Sequence, residues 1–152
     1  MRQDETQSII NSAKIHEQRL REAVSAVKDL FPMDANKIQS LTQNQFFAID
    51  TLTNRFAKLQ DLMGARLFDL CLNTLGENTD GMSMIDKANK LEKLHLIDDA
   101  HTWTDLRKIR NNLTHEYPDQ PEVAAEILNK VYGHVDSLIE IHKKVTSKIG
   151  QA

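Results

Sequence analysis

The sequence predicts an all-α protein. Apolar residues recur three and four positions apart along nearly the whole chain. Strand-like alternation of β-branched residues is missing, and only five Gly and three Pro punctuate 152 residues. Four long helices and one short one in a chain of this length predict an up-and-down four-helix bundle with an additional short helix, all of 1–152 forming one domain.

A first helix is expected over residues 7–30, with Ile9, Ile10, Ala13, Leu20, Ala23, Val24, Val27 and Leu30 on one broad stripe and Pro32 marking its end. The following FPMDANK reads as a turn. The second and longest helix runs from near Thr42 to about Leu75 and carries Phe46, Phe47, Ile49, Leu52, Phe56, Leu59, Leu62, Met63, Leu67, Leu70, Cys71 and Leu75 inward. Gly64 inside it costs about 1 kcal/mol against Ala in an exposed helix, which predicts a close helix crossing or a local bend there. GENTDG at 76–81 reads as a loop, and residues 83–94 as the short helix. Asp98 and Asp99 restart the chain into a helix with Trp103, Leu106, Ile109 and Leu113 inward. Pro118 and Pro121 bracket a turn before a last helix over 122–149, buried through Ile127, Leu128, Val131, Val135, Leu138, Ile141 and Val145.

Charge and composition exclude several function classes. A net charge of -3 and a pI near 6.1 do not suit a protein that coats nucleic acid through phosphate neutralisation, so any nucleic acid would meet a local patch. Cys71 stands alone, which leaves neither a disulfide framework nor a cysteine metal knuckle and suits a reducing compartment. Its place on an apolar helix face makes it a packing residue. MRQDETQSII has no apolar signal region, and no run approaches the roughly 18 apolar residues of a membrane span. The expected location is the cytoplasm, with no membrane contact. His95 and His101 flank a turn without carboxylate or cysteine support, so no metal or other cofactor is expected. His16, His134 and His142 read as surface or boundary residues.

The chemistry-bearing stretch is RNNLTHEYP, Arg110 to Pro118. At 100° per residue, with Leu106 at zero, Trp103 falls near +60°, Ile109 near -60° and Arg110 near +40°, inside the apolar face. A buried unpaired guanidinium costs several kcal/mol, so Arg110 needs a carboxylate partner, a wet cleft or an interface. On a straight helix His115 lies about 140° from Arg110, too far round for one copy to place both on a single phosphate. A helix that frays between Asn112 and Tyr117, together with a two-fold dimer whose cleft is lined by both copies, removes the difficulty. The Arg-x4-His spacing is weak by itself in a chain with six His, and the Tyr two residues later makes it informative.

RNNLTHEY resembles the Arg-x4-His-x-Tyr motif of HEPN-domain proteins, specifically the HepT-type toxins paired with minimal nucleotidyltransferase antitoxins. The resemblance extends to RFAKLQDLMGARLFDL at 55–70 and LEKLHLIDDAHTWTDLRKIRNNLTHEYPD at 91–119, two segments that look like characteristic helices of that family in the right order. It implies a HEPN bundle that dimerises with its motif helices facing each other, and a metal-independent endoribonuclease of a type VII-like toxin-antitoxin pair. In such a site the 2′-hydroxyl of RNA attacks the adjacent phosphate. His115 would move protons, Arg110 would hold the phosphate and stabilise the transition state, and Asn111 would orient the His115 ring. The partner nucleotidyltransferase would adenylylate Tyr117 and silence the cleft. Asn112 and Thr114 depart from the aliphatic or small residues usual in that family, which makes the cleft wetter.

Arg107 and Lys108 add a local basic patch that could guide RNA, although three charges on a helix are more often a solvated face. The rival function is a noncatalytic substrate-binding subunit of a two-component nucleotidyltransferase. It keeps the bundle and the dimer but needs neither Arg110 nor His115 for chemistry.

Overall fold

Side-chain caps set most of the helix starts in this chain. The computed structural model describes residues 3–114 and 117–150, and all regular secondary structure among them is helical. Helix α1 (Gln3–Val27) tightens into a 3-10 turn, Lys28–Leu30. Asp34 then caps a short α2 (Ala35–Gln39) by accepting from the Lys37 N–H. Thr42 starts α3 (Gln43–Leu62) with a capping box: its hydroxyl accepts from the Gln45 N–H, and the Gln45 side chain accepts from the Thr42 N–H.

The chain then passes through a π-helical turn, Met63–Leu67, into α4 (Phe68–Thr74). There the Phe68 N–H donates to the Met63 carbonyl, five residues back instead of four. Ser83 and Asp86 form a second capping box for α5 (Met84–Lys93), and Asp99 caps α6 (Ala100–Asn112) by accepting from the His101 N–H. The last helix, α7 (Pro121–Gly150), opens on a proline, whose missing N–H costs nothing at a helix start.

Apolar faces of α1, α3, α4, α6 and α7 share one core. Helix α1 lies along α3 and reaches the π turn beyond it. Helix α7 runs back along α1: near its start the Asn129 side chain accepts from the Met33 N–H at 2.7 Å and donates to the Met33 carbonyl at 3.0 Å, while farther on His142 Nδ1 sits 2.7 Å from Glu17. Trp103 of α6 fills the centre, tilted against Phe68 with ring centroids 4.5 Å apart. Gly64 marks the predicted close crossing. A Cβ at Gly64 would come within 3.2 Å of the Trp103 ring and 3.3 Å of the Met84 methyl, and Gly64 itself lies in the π turn. Among the described residues no helix is long and apolar enough to cross a membrane.

Three expectations are corrected. FPMDANK is not a simple turn, because Asp34 nucleates the five-residue α2 within and beyond it. Phe46 and Phe47, expected inward, are 53% and 56% exposed, Phe46 in the wall of an open groove at the start of α3; Leu75, just past the end of α4, is exposed as well. His142, expected at the surface or its boundary, is buried and paired with Glu17 across α1 and α7.

Polar packing against α1 predicts an acid-sensitive fold. Burial holds His16 below its ordinary value, helped by the nearby charges of Arg55 and Lys58. For Glu17 burial pushes upward, but hydrogen bonds from His142 and Arg21, and their charge, hold the carboxyl below its ordinary value. In both cases the unfolded chain binds protons more tightly, so stability is full above 6.5 for His16 and above 4.5 for Glu17. It is lost as the pH falls from each of those values through the lower folded one. The melting temperature should therefore drop on acidification in these two windows. His16→Gln should flatten the first and Glu17→Gln the second, and a melting temperature indifferent to pH from about 7 to about 3 would contradict the assignment.

Candidate functional site

The motif helix stops where the sequence predicts that it frays. After Asn112 the Leu113 N–H donates to the Arg110 carbonyl at 3.1 Å and the Thr114 N–H to the Asn111 carbonyl at 3.2 Å, the three-residue spacing of a tightening last turn. The Thr114 hydroxyl adds a 2.8 Å bond to the same Asn111 carbonyl, so this polar residue helps to close the helix. Tyr117 and Pro118 lie beyond it, in non-helical chain. His115 itself lies outside the described residues, and so does its geometry relative to Arg110.

Arg110 sits on the inward side of α6, 26% exposed, and of its three possible supports it has the carboxylate. Asp61, on the last turn of α3, takes it in a two-pronged grip: Nε donates to Oδ1 at 2.8 Å and Nη2 to Oδ2 at 2.9 Å. These hydrogen bonds, more than the opposing cost of burial, push the Arg110 pKa up from its ordinary value, with the Asp61 charge adding to them. The pair is half open to water, so its worth lies in geometry more than in stability. A guanidinium carries five N–H donors in one plane. Asp61 uses two along one edge, which leaves three, including both on Nη1, available to a second anion.

The inward angle of Arg110 calls for a carboxylate, a wet cleft or an interface, and no spacing in the sequence singles out Asp61 as the carboxylate. Its position within RFAKLQDLMGARLFDL, between the buried Gln60 and the π turn, was the only pointer. Around the pair, Arg107 precedes Arg110 by one turn and lies about 60° round the helix, close enough to extend the positive surface. Lys108 lies about 160° away from Arg110, on the other side of α6. Both are exposed, as is Asn111. The fold thus joins Arg110 to Asp61, with Arg107 on an adjoining side of α6 and Lys108 on the opposite one.

Tyr117 is half-buried on the far side of the helix end. With Asn112 and Leu113 it lines an open groove of about 640 Å3 against Phe46, Ile49 and Asp50 at the start of α3. Cys71 is buried in the core, where burial raises its thiol to about 11 and makes it unreactive. Among the described residues no group of three or more His, Cys, Asp or Glu side chains is placed to hold a metal ion. No family model, no curated protein and no solved structure matches the chain.

Proposed function

We propose that the chain is an RNA-cleaving toxin of the HepT type, a HEPN-like up-and-down four-helix bundle that works as a cytoplasmic homodimer. Arg110 and His115 of two facing copies line the cleft. The 2′-oxygen of the substrate forms a bond to phosphorus as the bond from phosphorus to the 5′-oxygen breaks, leaving a cyclic phosphate on one fragment and a free hydroxyl on the other. The proton leaves the 2′-hydroxyl and one reaches the departing oxygen, with His115 as the group that exchanges it and no metal required. Arg110 binds the non-bridging phosphate oxygens, whose charge grows in the transition state. Asn111 steadies His115, and Arg107 meets the RNA backbone. A cognate minimal nucleotidyltransferase silences the site by transferring an adenylyl group from ATP to the Tyr117 hydroxyl, with pyrophosphate released.

The observation that carries this reading is Arg110, held in plane by Asp61 at the end of a helix that stops at Asn112, with three donors to spare. Expression without a partner should arrest growth, and Arg110→Ala or His115→Ala should relieve it. The binding-subunit reading draws on the same ion pair, since Asp61 already neutralises the Arg110 charge. Growth arrest that survives both substitutions would sink the nuclease assignment.

A further inference from the structure

The groove at the end of α6 has walls and a polar group that the cleavage reaction does not use. From the groove and its lining we infer that it is a base-binding subsite that selects guanine in single-stranded RNA, stacking it on Phe46 and reading its edge with Asp50; this rests on the reading of the chain as an RNA-binding nuclease.

The argument begins with α3. Phe46, Asp50, Ala57 and Asp61 recur at helical spacing along one side of that helix, and the groove at its start is walled by α2, α3, the end of α6 and the start of α7. Asp50 and Asp61 are separated by about 16 Å at 1.5 Å per residue, a distance a short single strand can cover. Phe46 is 53% exposed in the groove wall, although a Phe at that depth gains nothing from water. An exposed aromatic face is how proteins hold unstacked RNA bases. Tyr117 and Leu113 supply further flat and apolar surface.

Asp50 decides what the occupant is. Its carboxylate has no hydrogen-bond or ion-pair partner among the described residues. A carboxylate repels phosphate, so the groove does not hold the RNA backbone. It is also acceptor-only, and among the four bases guanine alone presents two adjacent N–H donors, N1–H and the N2 amine, to match its two oxygens. One helical turn separates Asp50 from Phe46, which puts the carboxylate at the edge of a base lying flat on the ring. The cavity volume, about 640 Å3, is that of a small-ligand site.

The test uses the full-length His115→Ala chain, so that RNA survives, and reads the anisotropy of labelled UUGUU, UUAUU and UUCUU oligoribonucleotides. UUGUU should bind at least about 10-fold more tightly than the others. Asp50→Asn should shift the preference to UUAUU, because an Asn amide offers one donor and one acceptor, as adenine requires. Phe46→Ala should weaken UUGUU by about 5-fold or more with an unchanged melting temperature. Equal binding of the three oligonucleotides, binding of none, or a ranking that Asp50→Asn leaves alone would overturn the subsite. So would a change from dimer to monomer on Phe46→Ala in sedimentation, which would make the groove a contact between copies. Guanine preference in a parent chain that cleaves no RNA would sink the nuclease reading and leave the subsite standing; cleavage that needs Arg110 but ignores base identity would do the reverse.

Discussion

Arg110→Lys should slow RNA cleavage by about 10²–10³-fold without unfolding the protein, the loss expected when a transition-state oxyanion is deprived of a preorganised donor. Lysine keeps the charge, so a site that needed only positive potential would tolerate it. Arg110 does more than supply charge: Nε and Nη2 are committed to Asp61 at 2.8 and 2.9 Å, and that grip orients the remaining donors. A single ammonium cannot hold Asp61 along one edge and offer a fixed pair of donors along another. Asp61→Asn should fall between the two, about 10-fold slower than the parent, since one acceptor remains but the second oxygen becomes a donor facing Nη2 or Nε. Single-turnover cleavage of a labelled RNA measures both. A rate for Arg110→Lys within about 3-fold of the parent would remove Arg110 from the phosphate.

Trp103→Ala should cost about 3–5 kcal/mol of folding stability, a large part of the roughly 5–15 kcal/mol that a domain of this size has. Trp103 is 1% exposed. It stacks obliquely on Phe68 and lies over Gly64, whose missing side chain is what lets α6 approach the π turn. Removing the indole leaves a void that backbone on both sides cannot close. Trp103→Phe should cost less than half as much, for two reasons: it keeps most of the apolar volume, and it removes an indole N–H that has no hydrogen-bond partner among the described residues. Urea midpoints of the two variants give the comparison. Equal losses would mean that the indole N–H is satisfied, and a negligible loss for Ala would mean that this crossing does not organise the core. Trp103 also anchors α6 two turns before Arg110 and so helps to set the position of the Asp61–Arg110 pair.

Several features of this fold are legible from single residues. Thr42, Ser83 and Asp99 are cap residues that fall where hydrophobic periodicity begins, so the starts of α3, α5 and α6 could be placed closely. Gly64 announced the crossing because nothing else explains a glycine inside a long apolar helix. Other features were hidden for identifiable reasons. Phe46 and Phe47 are adjacent, about 100° apart, and periodicity cannot tell whether a helix end still lies over the core. Asp34 is a good cap residue, but α2 is too short to produce a period. His142 lies only about 40° from Leu138 on the inward stripe of α7, and residue type misled where angle would have succeeded. Asp61 is harder, since 22 acidic residues compete for one Arg and the pairing spans two helices. The Arg110 face was readable from angles alone; its partner was not.

The π turn at Met63–Leu67 has a mechanical consequence for the whole chain. One extra residue in a helical turn advances everything beyond it by about 100°, so α3 and α4 are two rods spliced out of phase. Upstream, the splice turns Leu52, Phe56 and Leu59 toward the core and leaves Asp61 at the rim for Arg110. Downstream, it sets Leu70, Cys71 and Leu72 against the end of the molecule where α7 finishes. The five residues act as a clutch between the half that carries the candidate site and the half that closes the core, so side chains on either half can be optimised without rotating the other.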